Sequence, residues 1–118
     1  MKVAREGNTC IAPATVRPFL LAHDDWSSEY GRWWSNPIAY ELTAGSTTLT
    51  VPLTSDAWSD VNGRFGNYDA ATAAAFNDAI THMTKVGLTF GGGCFFGHGV
   101  SVSNGTANFY LTDYEVRQ

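Results

Sequence analysis

Lys85-Val86-Gly87-Leu88-Thr89-Phe90 runs into three glycines, Gly91 to Gly93, then into Cys94-Phe95-Phe96-Gly97-His98-Gly99 and Val100-Ser101-Val102-Ser103. Asn104-Gly105 follows, and after it Thr106-Ala107-Asn108-Phe109-Tyr110-Leu111. An Asn-Gly pair between two alternating runs predicts a hairpin, because both residues tolerate the positive φ angles of a type I′ turn. The two-residue loop sets a register in which Ser103 faces Thr106, Val102 faces Ala107, Val100 faces Phe109 and His98 faces Leu111. One face then carries Val100, Val102, Ala107, Phe109 and Leu111, and the other Ser101, Ser103, Thr106, Asn108 and Tyr110, as in a half-buried antiparallel sheet. The alternation fails beyond Leu111, so a bulge or change of phase is expected near Thr112.

Working back from this hairpin, Asp69 is the expected N-cap of one helix, from Ala70 to about Lys85. Ala73, Phe76, Ile80 and Met83 recur at helical spacing as its buried stripe, and Asp78 and His82 lie four apart on a more exposed side. Thr54 to Asn67 reads as a long connection with Trp58 in it. Thr47 to Leu53, with Leu49, Val51 and Leu53 on one face, and Ile38 to Leu42 read as strands joined by Ala44-Gly45-Ser46. Tyr30 to Ser35 is a further strand with Tyr30, Arg32 and Trp34 on one face and Gly31, Trp33 and Ser35 on the other, ended by Pro37. Thr9 to Ala22 contains Pro13 and Pro18, which favour an edge or bulged strand. Residues 1–8 read as a flexible leader, and residues 9–118 as one domain. The expected fold is all-β, an antiparallel β-sandwich with one helix at about residues 70–85.

Composition narrows the function. Hydrophobic residues make up 44% of the 118 and charged residues 15%, with a net charge of -4. Seven Lys plus Arg, none clustered, argue against a nucleic acid or an anionic membrane as partner. A neutral polyhydroxy ligand suits a surface rich in aromatics and poor in charge. No window approaches the roughly 18 apolar residues of a membrane span, and no apolar run follows Lys2 as in a signal peptide, so a cytoplasmic location is expected. In that reducing compartment Cys10 and Cys94 are expected to stay reduced.

The segment Gly105 to Val116 resembles the last strand of galactose-binding-like jelly-roll domains, a group that includes many carbohydrate-binding modules. Val86 to Gly93 resembles the strand before it. The resemblance implies a jelly-roll sandwich and carbohydrate as ligand, in a family that is often secreted. Domains of that kind carry further strands before the segment that starts here near Thr9. An incomplete sandwich would leave open edges for a second copy to cover, so a homodimer is expected. The resemblance also implies a structural calcium ion, for which Asp24, Asp25, Asp56, Asp60 or Asp113 could supply oxygen. None of these forms a recognisable loop motif, and no metal is assigned.

Among the candidate binding residues, Arg32-Trp33-Trp34 stands first, because alternation sends one of two adjacent tryptophans away from the core. An exposed indole beside Arg32 can stack on a sugar ring while the guanidinium and Asp24 or Asp25 bond its hydroxyls. The competing reading puts Trp33 in the core and Trp34 in a subunit interface. Trp26 and Trp58, with Asn62, extend a ligand site if their loops converge; otherwise they are plugs that anchor those loops. The predicted site is thus Trp26, Trp34, Arg32, Asp25, Trp58 and Asn62. His98, facing Leu111, reads as a core residue. His23, His82 and His98 lie in separate segments without HxH or HExxH spacing, so no transition-metal site is expected. A glycosidase would need two converging carboxyl groups, and Asp24, Asp25, Glu29, Asp56 and Asp60 offer several without indicating a pair. Three functions therefore remain: a non-catalytic carbohydrate-binding module, an oligomeric interaction protein, and a small glycosidase-like enzyme.

Overall fold

The computed structural model describes residues 2–5, 8–10, 13–91, 99–101 and 105–117. Its elements are β1 (Lys2–Arg5), β2 (Asn8–Cys10), β3 (Thr15–Ala22), β4 (Arg32–Ser35), β5 (Tyr40–Glu41), β6 (Trp58–Ser59), α1 (Ala70–Thr81), β7 (Met83–Gly91) and β8 (Val100–Ser101). All their ladders are antiparallel. One sheet has the order β2-β1-β8; the other runs β5-β3-β4-β6, with β7 on the remaining side of β3. Lys2–Arg5 is thus a strand rather than a loose leader, because β2 and β8 supply backbone partners on both sides.

β3 organises the larger sheet: of the expected edge or bulged strand, the edge position is corrected, while the β3–β7 ladder does shift register between Leu21 and Ala22. It pairs with β7 along its whole length and with β5 and β4 on the other side. Pro18 is accommodated by its phase. Ala22 donates to Gly31 and Ala14 accepts from Leu42, so the even-numbered residues of β3 turn their backbone polar groups toward β4 and β5. Pro18 therefore faces Ser35, where β4 ends, and lacks the N–H that Ser35 would accept. The Arg17 guanidinium donates to the Ser35 carbonyl instead, Nη1 to O at 2.9 Å. Arg17 is buried for this task, and burial lowers its pKa.

Residues opposed across a ladder share a face. Val16, Leu20 and Ala22 of β3 lie with Trp33 on the face that α1 covers, and Arg17, Phe19 and Leu21 lie with Arg32 and Trp34 on the opposite face. The core is Leu20, Ala22, Trp33, Ala57, Trp58, Phe76 and Ala79, with Val51, Leu53, Ile80 and Met83 packed against it. Trp33 is fully buried, meets Phe76 edge-on at 5.2 Å, and donates its Nε1–H to the Tyr30 carbonyl. The Asp69 side chain caps α1 by accepting from Thr72 N and Oγ1, both at 2.7 Å. The helix ends at Thr81, four residues short of Lys85, because Met83 to Val86 already pair with β3. Of the expected stripe Phe76 is buried, Ala73 and Ile80 are half-buried, and Thr72 and Ala79 complete it.

Two further expectations are corrected. Leu49, Val51 and Leu53 do alternate in burial with their neighbours, but residues 47–53 join no ladder. The strand expected after Asn104-Gly105 is not present: residues 106–111 belong to no strand and β8 pairs with β1, while residues 102–104 lie outside the described residues. Gly105 has the positive φ the turn requires, +81°. Beyond it, however, Ala107 and Asn108 have low strand propensity, and Phe109, though exposed, meets Phe90 edge-on at 5.0 Å. Residues 112–117 likewise join no ladder, so the bulge expected near Thr112 has no strand to interrupt; Tyr114 is half-buried and donates its hydroxyl to the Gly87 carbonyl at 3.1 Å. Burial raises the pKa of that phenol. His98 and Cys94, and the side chain of Cys10, lie outside the described residues.

Candidate functional site: an aromatic row on the open sheet face

The face of the larger sheet opposite α1 carries a row of three aromatic rings. Phe19 of β3 stands directly across from Trp34 of β4, with ring centroids 5.4 Å apart and planes tilted by 52°. On its other side Phe19 stacks with Trp26 from the β3–β4 loop, at 5.9 Å and 17°. Trp26 is 53% exposed, and Phe19, Trp34 and Arg32 are half-buried. Arg32 lies two residues before Trp34 on the same strand face, opposite Leu21. Arg32 Nε and Trp34 Nε1 are shielded from solvent and have no hydrogen-bond partner among the described residues.

The loop that delivers Trp26 is held by local bonds. His23 and Asp24 have left-handed backbones, φ 56° and 51°, which turn the chain sharply out of β3. Asp25 Oδ1 accepts from Ser27 N, Ser27 Oγ and Ser28 N. These bonds, the Ser27 hydroxyl foremost, hold the Asp25 carboxyl below its usual pKa. Gly31 closes the loop, since a Cβ there would overlap the Asp25 carbonyl oxygen. Asp25 therefore shapes the loop through one oxygen, rather than presenting both to a ligand.

The other predicted site residues lie elsewhere. Trp58 is a core residue, 4% exposed, with its Nε1–H donated to the Pro52 carbonyl at 2.8 Å. It lies in β6, paired across from Ser35, on the face opposite Trp34. Asn62 belongs to a turn built on the buried Asp60, whose Oδ1 accepts from Asn62 N and Arg64 N while Oδ2 pairs with Arg64 Nε at 3.0 Å. Asn62 Nδ2 donates to Glu29, which also pairs with Arg64. The structure thus brings together Trp26, Trp34 and Arg32, adds Phe19, and leaves Trp58 and Asn62 in other places. Phe19 was legible as an apolar strand residue, but only the β3–β4 register puts it between the two tryptophans.

Five of the six carboxylates considered for catalysis or calcium have partners: Asp24 pairs with Lys85, Asp25 caps its turn, Glu29 and Asp60 hold Arg64, and Asp56 accepts from Thr54. Among the described residues, one group of three or more metal-ligating side chains comes together, His23, Asp78 and His82. No helix is long and apolar enough to cross a membrane among the described residues. No protein-family model, no curated protein and no solved structure matches the chain.

Proposed function

We propose that this protein is a non-catalytic binding module for a carbohydrate or another small neutral polyhydroxy ligand. The observation that carries the reading is the Trp26–Phe19–Trp34 row on the sheet face that α1 leaves open. A pyranose ring presents apolar C–H faces that stack on indole, and Trp26 keeps about half its surface free for this. Among the described residues Arg32 Nε and Trp34 Nε1 have no partner to give up, so a small side-chain shift that admits hydroxyl oxygens gains hydrogen bonds there. In this reading the β2-β1-β8 sheet is the second leaf of an incomplete galactose-binding-like jelly roll.

Intrinsic tryptophan fluorescence, titrated with mono- and oligosaccharides on the wild type and on Trp34→Ala, tests the proposal. A saturable shift in the wild type that the variant lacks supports it. Absence of a response to every sugar overturns it.

A second reading, a homodimer, is favoured by the edge of the larger sheet. β7 is nine residues long and pairs with β3 alone among the named strands, and Val86 upon it is exposed, as are Phe109, Tyr110 and Leu111 of the C-terminal segment. A long strand edge beside exposed apolar residues is a template for pairing with another chain. Mass in solution decides: a monomer across the micromolar range removes this reading.

A further inference from the structure

At the other end of the β3–β4 loop, three side chains from two distant segments converge at the junction of α1 and β7. His23 Nε2 lies 2.7 Å from Asp78 Oδ2, and His82 Nδ1 lies 3.1 Å from Asp78 Oδ1. The two imidazoles stack with centroids 4.6 Å apart and planes inclined by 24°. One ligand atom from each of the three residues falls within 4.8 Å of the other two. We propose that His23, Asp78 and His82 form a binding site for a divalent transition-metal ion of the zinc type.

The donor set fits that class. Two imidazole nitrogens and one carboxylate oxygen suit zinc, cobalt, nickel or copper better than calcium or magnesium, which take oxygen ligands. Zinc–ligand bonds of about 2.0–2.1 Å in a tetrahedron place ligand atoms about 3.3 Å apart. The two measured separations, 2.7 and 3.1 Å, fall short of that value and run to different oxygens of Asp78, and His82 Nδ1 also meets the Asp78 carbonyl at 3.0 Å, so an entering ion spreads these contacts as the exposed imidazoles rotate. Three protein ligands leave a coordination position open to water or an exogenous group.

The backbone holds the three residues independently of any ion. Asp78 and His82 are one helical turn apart, and His82 is the C-cap, its N–H bonded to the Asp78 and Ala79 carbonyls. His23 N donates to the His82 carbonyl at 3.1 Å, and Asp24 N donates to Thr84 Oγ1 at 2.9 Å. Lys85 Nζ holds Asp24, the residue next to His23, at 2.6 Å, which engages a carboxylate that would otherwise compete for the metal. The left-handed φ at His23 turns its side chain to this junction at a conformational cost that the tethers offset.

The test is a titration of the folded, metal-free chain with cobalt(II), read by visible absorption, and with zinc, read by calorimetry. One equivalent is expected to bind. His23→Asn keeps a residue type that tolerates the left-handed backbone, and Asp78→Ala changes an exposed helical position; circular dichroism monitors the fold of each. Either variant is expected to weaken binding more than about tenfold, since even loss of an outer partner costs a metal site about that much. The double variant Cys10→Ser/Cys94→Ser and the single His98→Gln are expected to bind as the wild type does. No binding by the wild type overturns the proposal, as does unchanged affinity in either folded ligand variant or loss of binding in the cysteine or His98 variants.

Discussion

Trp33 and Trp34 are neighbours in the chain and opposites in the fold. Trp33 points under α1, is fully buried, and has its indole N–H satisfied by the Tyr30 carbonyl. Trp34 points to the open face, is half-buried between Phe19 and solvent, and has no partner for its indole N–H among the described residues. The side chain is the same, so the pleat of β4 and the placement of one helix account for the whole difference. One face of the sheet is thereby committed to stability. The other carries the Phe19, Trp34 and Trp26 rings, of which Trp26 is exposed.

That contrast can be broken in a graded series. The largest effect is expected from Trp33→Ala, which opens a cavity between β4 and α1 and lowers the unfolding free energy by about 3–5 kcal/mol in urea denaturation. Gly31→Ala comes next: its Cβ must displace the Asp25 carbonyl, at a cost of about 3 kcal/mol, and Trp26 should lose its stacking on Phe19, seen as a shift in emission. Trp34→Ala is expected to cost about 1–2 kcal/mol, well below Trp33→Ala, because Trp34 is only partly buried. The two tryptophans would prove equivalent if the losses matched. The smallest effect concerns the cap of the covering helix. Hydrogen bonds from Thr72, the side chain first, lower the Asp69 pKa in the folded state, so its contribution is present above the unfolded value of about 3.9. It is lost as pH falls through the folded value. Asp69→Asn keeps an N-cap without that titration, and its thermal midpoint should fall less steeply on acidification than that of the wild type.

The candidate site divides along the same line. Alternation in Tyr30 to Ser35 shows which tryptophan leaves the core, and the polar setting of Trp26 places it in a loop. Neither signal reveals that Phe19 joins the two rings, or that Trp58 is a plug and Asn62 part of a turn around Asp60. His23 and His82 are 59 positions apart by their numbers, and no spacing rule connects them; the β3–β7 register, which sets Ala22 against Met83, does.

The sequence by itself determined the predominance of antiparallel strands, the single helix with its Asp69 cap, and the opposite facing of Trp33 and Trp34. These are consequences of short-range periods and caps, which a few consecutive residues carry. Only the tertiary structure decided that β3 lies between partners on both sides, that the residues after Asn104-Gly105 leave the sheet, and that His23 meets His82. Pro18 is compatible with a central strand once Arg17 reaches the Ser35 carbonyl, and Phe109 meets the distant Phe90 instead of a hairpin partner. Local propensity proposes a pairing, but burial against a distant residue chooses among the pairings on offer, and that choice is not written in any single stretch of the chain.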